Sequence, residues 1–285
     1  MVKILTSQWV GGAVFSLCLA TVSAPAEAHD VTYVSGKGID TGTCTSPANP
    51  CRTFQFAVDA SIAGGEVKAL DPAYYGPVTI TKSISITGVD GAGIDSNGGN
   101  AITVTDTNPG TINLALTNLV IQNVTGSGGV GISVMPSFIS LSITITHCTV
   151  RGFITGIEIG QLLFPAPASQ FLIADTVVTN NQVGINIGFA GGTLDHVIAN
   201  LNSSTGVQVA DRGIVTAVDT IANDNGGSGF VVTGLRGILT LAHSTALGNN
   251  GSDVVIKTGL STSVTSFGDN HIGSVSGNLT QVALK

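Results

Sequence analysis

A glycine-led phrase recurring every 22 to 28 residues constrains this chain more than any other feature. It reads Gly131-Ile-Ser-Val, Gly156-Ile-Glu-Ile, Gly184-Ile-Asn-Ile, Gly206-Val-Gln-Val and Gly229-Phe-Val-Val, and it persists in altered form as Asp253-Val-Val-Ile. Self-similarity at that period marks a solenoid, in which each coil buries its apolar face only against its neighbours. The alternation inside each phrase is that of a strand, with Ile157/Ile159 and Ile185/Ile187 inward and the residue between them outward. Charged residues make up 9% of the chain, against about 25% in ordinary soluble domains. β-Branched residues, Gly and Asn dominate, while good helix formers are scarce.

Each regular coil reads as a first strand (Ile143–Ile145, Ile238–Leu241), a polar corner, a short second strand and a bend, after which the glycine opens the third strand. Aligned at the bend, Asn123, Gly152, Asn180, Asn200, Asn223 and Gly248 fall in one column. Coils stack about 4.8 Å apart, so asparagine amides in register can hydrogen-bond along such a column. Hexapeptide periodicity, the mark of a left-handed β-helix, is missing, and leucine is too sparse for a leucine-rich repeat. The pattern predicts an all-β, right-handed parallel β-helix of about nine coils over residues 66–285, roughly 40 Å long. Ahead of it, residues 29–65 hold a strand at Val31–Val34, a Gly/Pro/Cys-rich loop and a capping helix. Thr53 is its N-cap, Phe54, Ala57, Val58 and Ile62 form its apolar side, and Gly64-Gly65 ends it.

Residues 1–28 have the form of a secretory signal: Lys3, an apolar run from Val10 to Ala20, and the small-residue site Ala26-Glu27-Ala28. The run is short for a membrane span. Removal of this segment leaves the net charge at −7, which disfavours nucleic acid and anionic membranes as partners. In a secreted chain Cys44 and Cys51 are expected to pair across their short loop, leaving Cys148 as a buried free thiol. A monomer of periplasmic, extracellular or cell-surface location is the expectation.

The glycine-rich three-strand coils resemble the right-handed β-helix families grouped around pectin lyases. Pro50-Cys-Arg-Thr-Phe54, Ala63-Gly-Gly-Glu66, Leu70-Asp-Pro72 and Tyr75–Ile84 resemble the N-terminal part of secreted bacterial β-helix proteins of unassigned function. The resemblance implies fold rather than chemistry, because one fold hosts many functions. Leu194-Asp195-His196 and Thr146-His147-Cys148-Thr149 echo pectate-lyase motifs, but the Arg-x-Pro-x-x-Arg that supplies the base of those enzymes is missing. So are the His-Gly and Arg-x-Lys of polygalacturonases.

Three constellations remain as candidate sites. The outward column of the third strand carries Ser133, Glu158, Asn186 and Gln208, a polar row suited to sugar hydroxyls. The first corner is expected to stack Asn118, His147, Asp175, Asp195 and His243, with His196 and Asp219 one position on. Asp175, Asp195 and Asp219 there could hold Ca²⁺, and no other cofactor is expected. Arg212 and Arg236 occupy matching corners of adjacent coils and could clamp an acidic saccharide. Three functions fit: a non-catalytic module binding an extracellular polysaccharide or a surface protein along one strand face, a diverged polysaccharide lyase or glycoside hydrolase, or a structural rod.

Overall fold

The computed structural model describes residues 29–105, 111–126, 128–135, 140–160, 169–257 and 261–283. The signal-like segment 1–28, with Cys18, lies outside them. The chain winds as a right-handed parallel β-solenoid. Its strands fall into an eleven-stranded first sheet, a narrow second sheet and a nine-stranded third sheet, all parallel. Seven complete turns run from Ile84–Thr87 to Val254–Ile256. The sequence reading of about nine coils exceeds this count; strands of one further turn lie at each end, Ser61–Ala69 with Val78–Ile80 and Ser263–Phe267 with Val275–Ser276. In the last one, residues such as Val275 are exposed.

Strand alternation builds the core directly. Ile159, Ile187, Val209 and Val232 follow one another in register along the third sheet and have no exposed surface. Ile157, Ile185, Val207 and Phe230 form the parallel inward column beside them. The first sheet supplies Ile143, Ile173, Leu194, Ala217 and Leu241.

The N-terminal helix spans Phe54–Ala60, shorter than the sequence indicated. Thr53 caps it by accepting from the Phe56 N–H at 3.3 Å, and Phe54, Ala57 and Val58 are buried. It stops early because Ser61 turns extended and its hydroxyl donates to the Ala57 carbonyl at 2.8 Å. Ile62, Gly64 and Gly65 therefore belong to the strand Ser61–Ala69, which pairs with His29–Val34 at the edge of the first sheet.

Cys44 and Cys51 form a disulfide with Cα atoms 5.3 Å apart. Cys148 is free and buried, and burial pushes its thiol up to about 11. Replacing Cys44 and Cys51 by Ser is expected to lower unfolding free energy by about 2–3 kcal/mol, since the loop it closes is short. Denaturant titration of the double variant against the oxidised parent measures this, and equal midpoints would contradict it.

The bend column keeps Gly152, Asn180 and Gly248 where the sequence placed them, but Leu201 and Asp224 take the positions read for Asn200 and Asn223. Asn180, Leu201, Asp224 and Gly248 are the equivalent left-handed residues of the bend, with Gly152 before them. The stacked interior amides are the residues that follow, Asn181, Asn202, Asn225 and Asn249. Asn181 donates its backbone N–H and side-chain amide to Asn202 Oδ1 at 3.1 and 3.2 Å. Asn202 does the same to Asn225, and Asn225 to Asn249. Asn200 and Asn223 form a separate, outer run, in which the Asn223 N–H donates to Asn200 Oδ1 at 2.8 Å. At the C-terminal end Asp253 accepts from the Asn249 amide at 2.7 Å and from Ser274. Burial works against its charge, but these hydrogen bonds prevail and hold the carboxyl below its usual range.

This ladder explains the recurrent glycine. A Cβ on Gly184 would lie 2.4 Å from the Gly206 carbonyl and 2.8 Å from the Asn202 amide. At Gly206 it would meet the Asn225 amide and the Gly229 carbonyl, each at 2.8 Å. The glycine makes room for a neighbouring side chain and backbone, and it is not there for a positive φ.

Candidate functional site

The third sheet sets the outward column in register as the sequence indicated. Thr79, Thr103, Ser133, Glu158, Asn186, Gln208, Val231 and Val255 lie on successive turns. Glu158, Asn186 and Gln208 are half-buried and linked. Gln208 Nε2 donates to Asn186 Oδ1 at 3.2 Å, and Asn186 Nδ2 donates to Glu158 Oε1 at 3.3 Å. All donors in this row point toward the carboxylate, so each amide keeps one N–H for a ligand. Ser133 departs from expectation: it is in register but only 8% exposed. It is the shortest side chain of the column, between Thr103 and Glu158, and adds nothing to the open face.

Beyond Gln208 the column becomes apolar, and a shallow groove of about 510 Å³ lies there. Thr205, Gln208, Ser228, Val231, Thr233, Val255 and Lys257 line it. The sequence reading missed this groove because its hydroxyls come from both ends of several strands. Only stacking the strands gathers them.

Arg212 and Arg236 stand at equivalent left-handed positions of adjacent turns, after Phe189 and before Ser261, and both are exposed. The Arg212 N–H donates to the Leu235 carbonyl at 2.8 Å. Asp211 Oδ1 accepts from the Leu235 N–H at 2.6 Å.

The first corner also differs from its sequence alignment. Asn118, His147, Asp175, His196, Asp219 and His243 are the left-handed residues. Asp195 pairs with Ala174 and Val218 and so ends the preceding strand. The proposed carboxylate stack of Asp175, Asp195 and Asp219 is thus interrupted, because His196 takes the corner between Asp175 and Asp219. His196 Nδ1 lies 2.7 Å from Asp195 Oδ1. That hydrogen bond, followed by the charge of the same carboxylate, raises the pKa of the imidazole. The ligand atoms of Asp195, His196 and Asp219 all fall within 4.8 Å of one another.

Among the described residues no helix is long and apolar enough to cross a membrane. No family model matches the chain, and no curated protein matches it in sequence. Solved structures do match. The crystal structure of pectate lyase Pel9A superposes with a TM-score of 0.60 at 16% identity, covering 91% of this chain and 80% of the other. The fold is that of the pectate-lyase-type β-helix. A Geobacillus virus E2 protein, ORF18, matches at TM-score 0.50 and 12% identity over 80% of this chain and 55% of its own. At such identities the β-helix likeness is one of architecture, and chemistry has to be argued from the side chains.

Proposed function

We propose that this β-helix is a secreted, non-catalytic module that binds an extracellular polysaccharide along its third sheet. The observation that carries this reading is the polar row Glu158–Asn186–Gln208 running into the groove at Val231 and Val255. The valine methyls suit the C–H faces of sugar rings, and the flanking amides and hydroxyls suit their hydroxyl groups. The row follows the stack direction at about 4.8 Å per turn, so an extended polymer can lie along it. The Cys44–Cys51 disulfide fits an oxidising compartment.

A lyase needs a base and charge-neutralising groups around one proton. On this face Glu158 is the carboxylate and Lys257 the cation of the groove. They lie four turns apart, roughly 19 Å at the strand spacing, which is too far to serve one bond.

Replacing Glu158, Asn186 and Gln208 together by Ala is expected to weaken glycan binding by roughly 100-fold, at about 1 kcal/mol per lost hydrogen bond. The melting temperature should hold, since no core side chain changes. A glycan array followed by titration of the bound glycan reads this. Unchanged affinity would move the site to the Arg212/Arg236 corner. Release of an unsaturated product, seen by its ultraviolet absorbance, would overturn the non-catalytic reading.

A further inference from the structure

Once the first corner is in its true register, imidazole and carboxylate alternate along it. His147, Asp175, His196, Asp219 and His243 occupy five successive left-handed positions. A bias toward Asn, Asp and His is ordinary where φ is positive. Strict alternation is a further fact, and so is the spacing it produces. His196 Nε2 lies 3.9 Å from Asp219 Oδ2. This is too long for a hydrogen bond. It is within about half an ångström of the separation of two ligands on one tetrahedral ion, roughly 3.4 Å at metal–ligand distances near 2.1 Å.

The other ring nitrogen is already engaged. Asp195 Oδ1, 2.7 Å from His196 Nδ1, accepts from Nδ1–H, so in the neutral ring the lone pair sits on Nε2, 3.9 Å from Asp219 Oδ2. A carboxylate behind a histidine whose far nitrogen faces open ligand space is how metal-binding imidazoles are oriented. We propose that His196 Nε2 and Asp219 form a surface site for a borderline divalent transition metal, with Asp195 as the positioning residue. An imidazole with carboxylate and water suits Zn²⁺, whereas Ca²⁺ takes oxygen ligands. Two protein ligands leave the remaining positions to water, so the site is open to solvent. It is distinct from the third-sheet face and does not depend on the glycan reading.

His147 and Asp175 supply a built-in comparison. Their Nε2 and Oδ2 are 3.8 Å apart, but no carboxylate engages His147 Nδ1 among the described contacts.

The test is calorimetric titration of Zn²⁺ into the chelator-treated chain carrying no histidine tag. The expected result is saturable binding that a hundredfold excess of Ca²⁺ does not displace. His196→Gln and Asp219→Asn should each weaken the tightest site at least tenfold. Asp195→Asn should weaken it by about 10- to 100-fold through loss of ring orientation. His147→Gln should leave it within twofold. The replaced groups are largely exposed, so melting in the absence of metal should match the parent and show that the fold is intact. Displacement by Ca²⁺, indifference to His196→Gln, or an equal loss in His147→Gln would overturn the proposal.

Discussion

Ile187→Asp is expected to cost at least about 4 kcal/mol, enough to leave a marginally stable chain largely unfolded at ambient temperature. Ile187 has no exposed surface and sits between Ile159 and Val209 on the turns before and after it. Truncating a buried isoleucine of this kind costs about 2–5 kcal/mol by itself. The carboxylate adds a charge with no partner among apolar neighbours. Because each turn rests only on its neighbours, the defect also divides the stack into two shorter pieces. Ile187→Val keeps the packing and should cost only about 0.5–1.5 kcal/mol. Denaturant titration of both variants distinguishes them. An aspartate variant that melts like the parent would mean that the third-sheet register is wrong.

The second large effect is expected at Asn202, in the middle of the amide ladder. Its side chain is almost completely buried, with 1% exposure. Its oxygen accepts from the backbone and side chain of Asn181. Its amide donates to the Val178 carbonyl at 3.2 Å and to Asn225 Oδ1 at 3.1 Å. Asn202→Ala leaves a buried N–H of Asn181 and a buried carbonyl without partners, and each such group costs about 1–3 kcal/mol. A total loss of about 2–4 kcal/mol is expected. Amide exchange should quicken at Asn181 relative to core amides of the first sheet. Asn202→Asp should be no better, because its carboxylate cannot donate to Val178 or Asn225. A loss below about 0.5 kcal/mol for the alanine variant would show that the ladder contributes little beyond packing.

The two effects differ in how far the sequence foretold them. The inward role of Ile187 follows from alternation alone, since a period of two leaves one choice once a strand is placed. The asparagine column did not follow from counting. Residues Asn180, Asn200 and Asn223 align naturally on the page, yet the stacked amides are Asn181, Asn202 and Asn225. The first corner is displaced too, by one residue, with His196 where Asp195 was placed.

The sequence by itself determined the solenoid, its three-strand coils, the inward isoleucine and valine columns, the Thr53 cap, the Cys44–Cys51 pairing and the row Glu158–Asn186–Gln208. The solenoid follows from repetition and the disulfide from a short loop in a secreted chain; the rest follow from local rules, namely strand alternation, capping geometry, or a glycine that fixes the start of the third strand. Only the tertiary structure decided the asparagine ladder, the alternating imidazole and carboxylate corner, the groove at Val231 and Val255, and the burial of Ser133. Repeat lengths vary from 22 to 28 residues, and most of the difference lies in the connection from the third strand to the next first strand, long between Ile159 and Ser169 and short between Ile187 and Ala190. Between the bend and the following glycine the count changes by one residue, three from Asn181 to Gly184 but four from Asn202 to Gly206, which is enough to move a side chain to the wrong column. Its partner on the next turn is set by inter-strand hydrogen bonds, which join residues far apart in the chain.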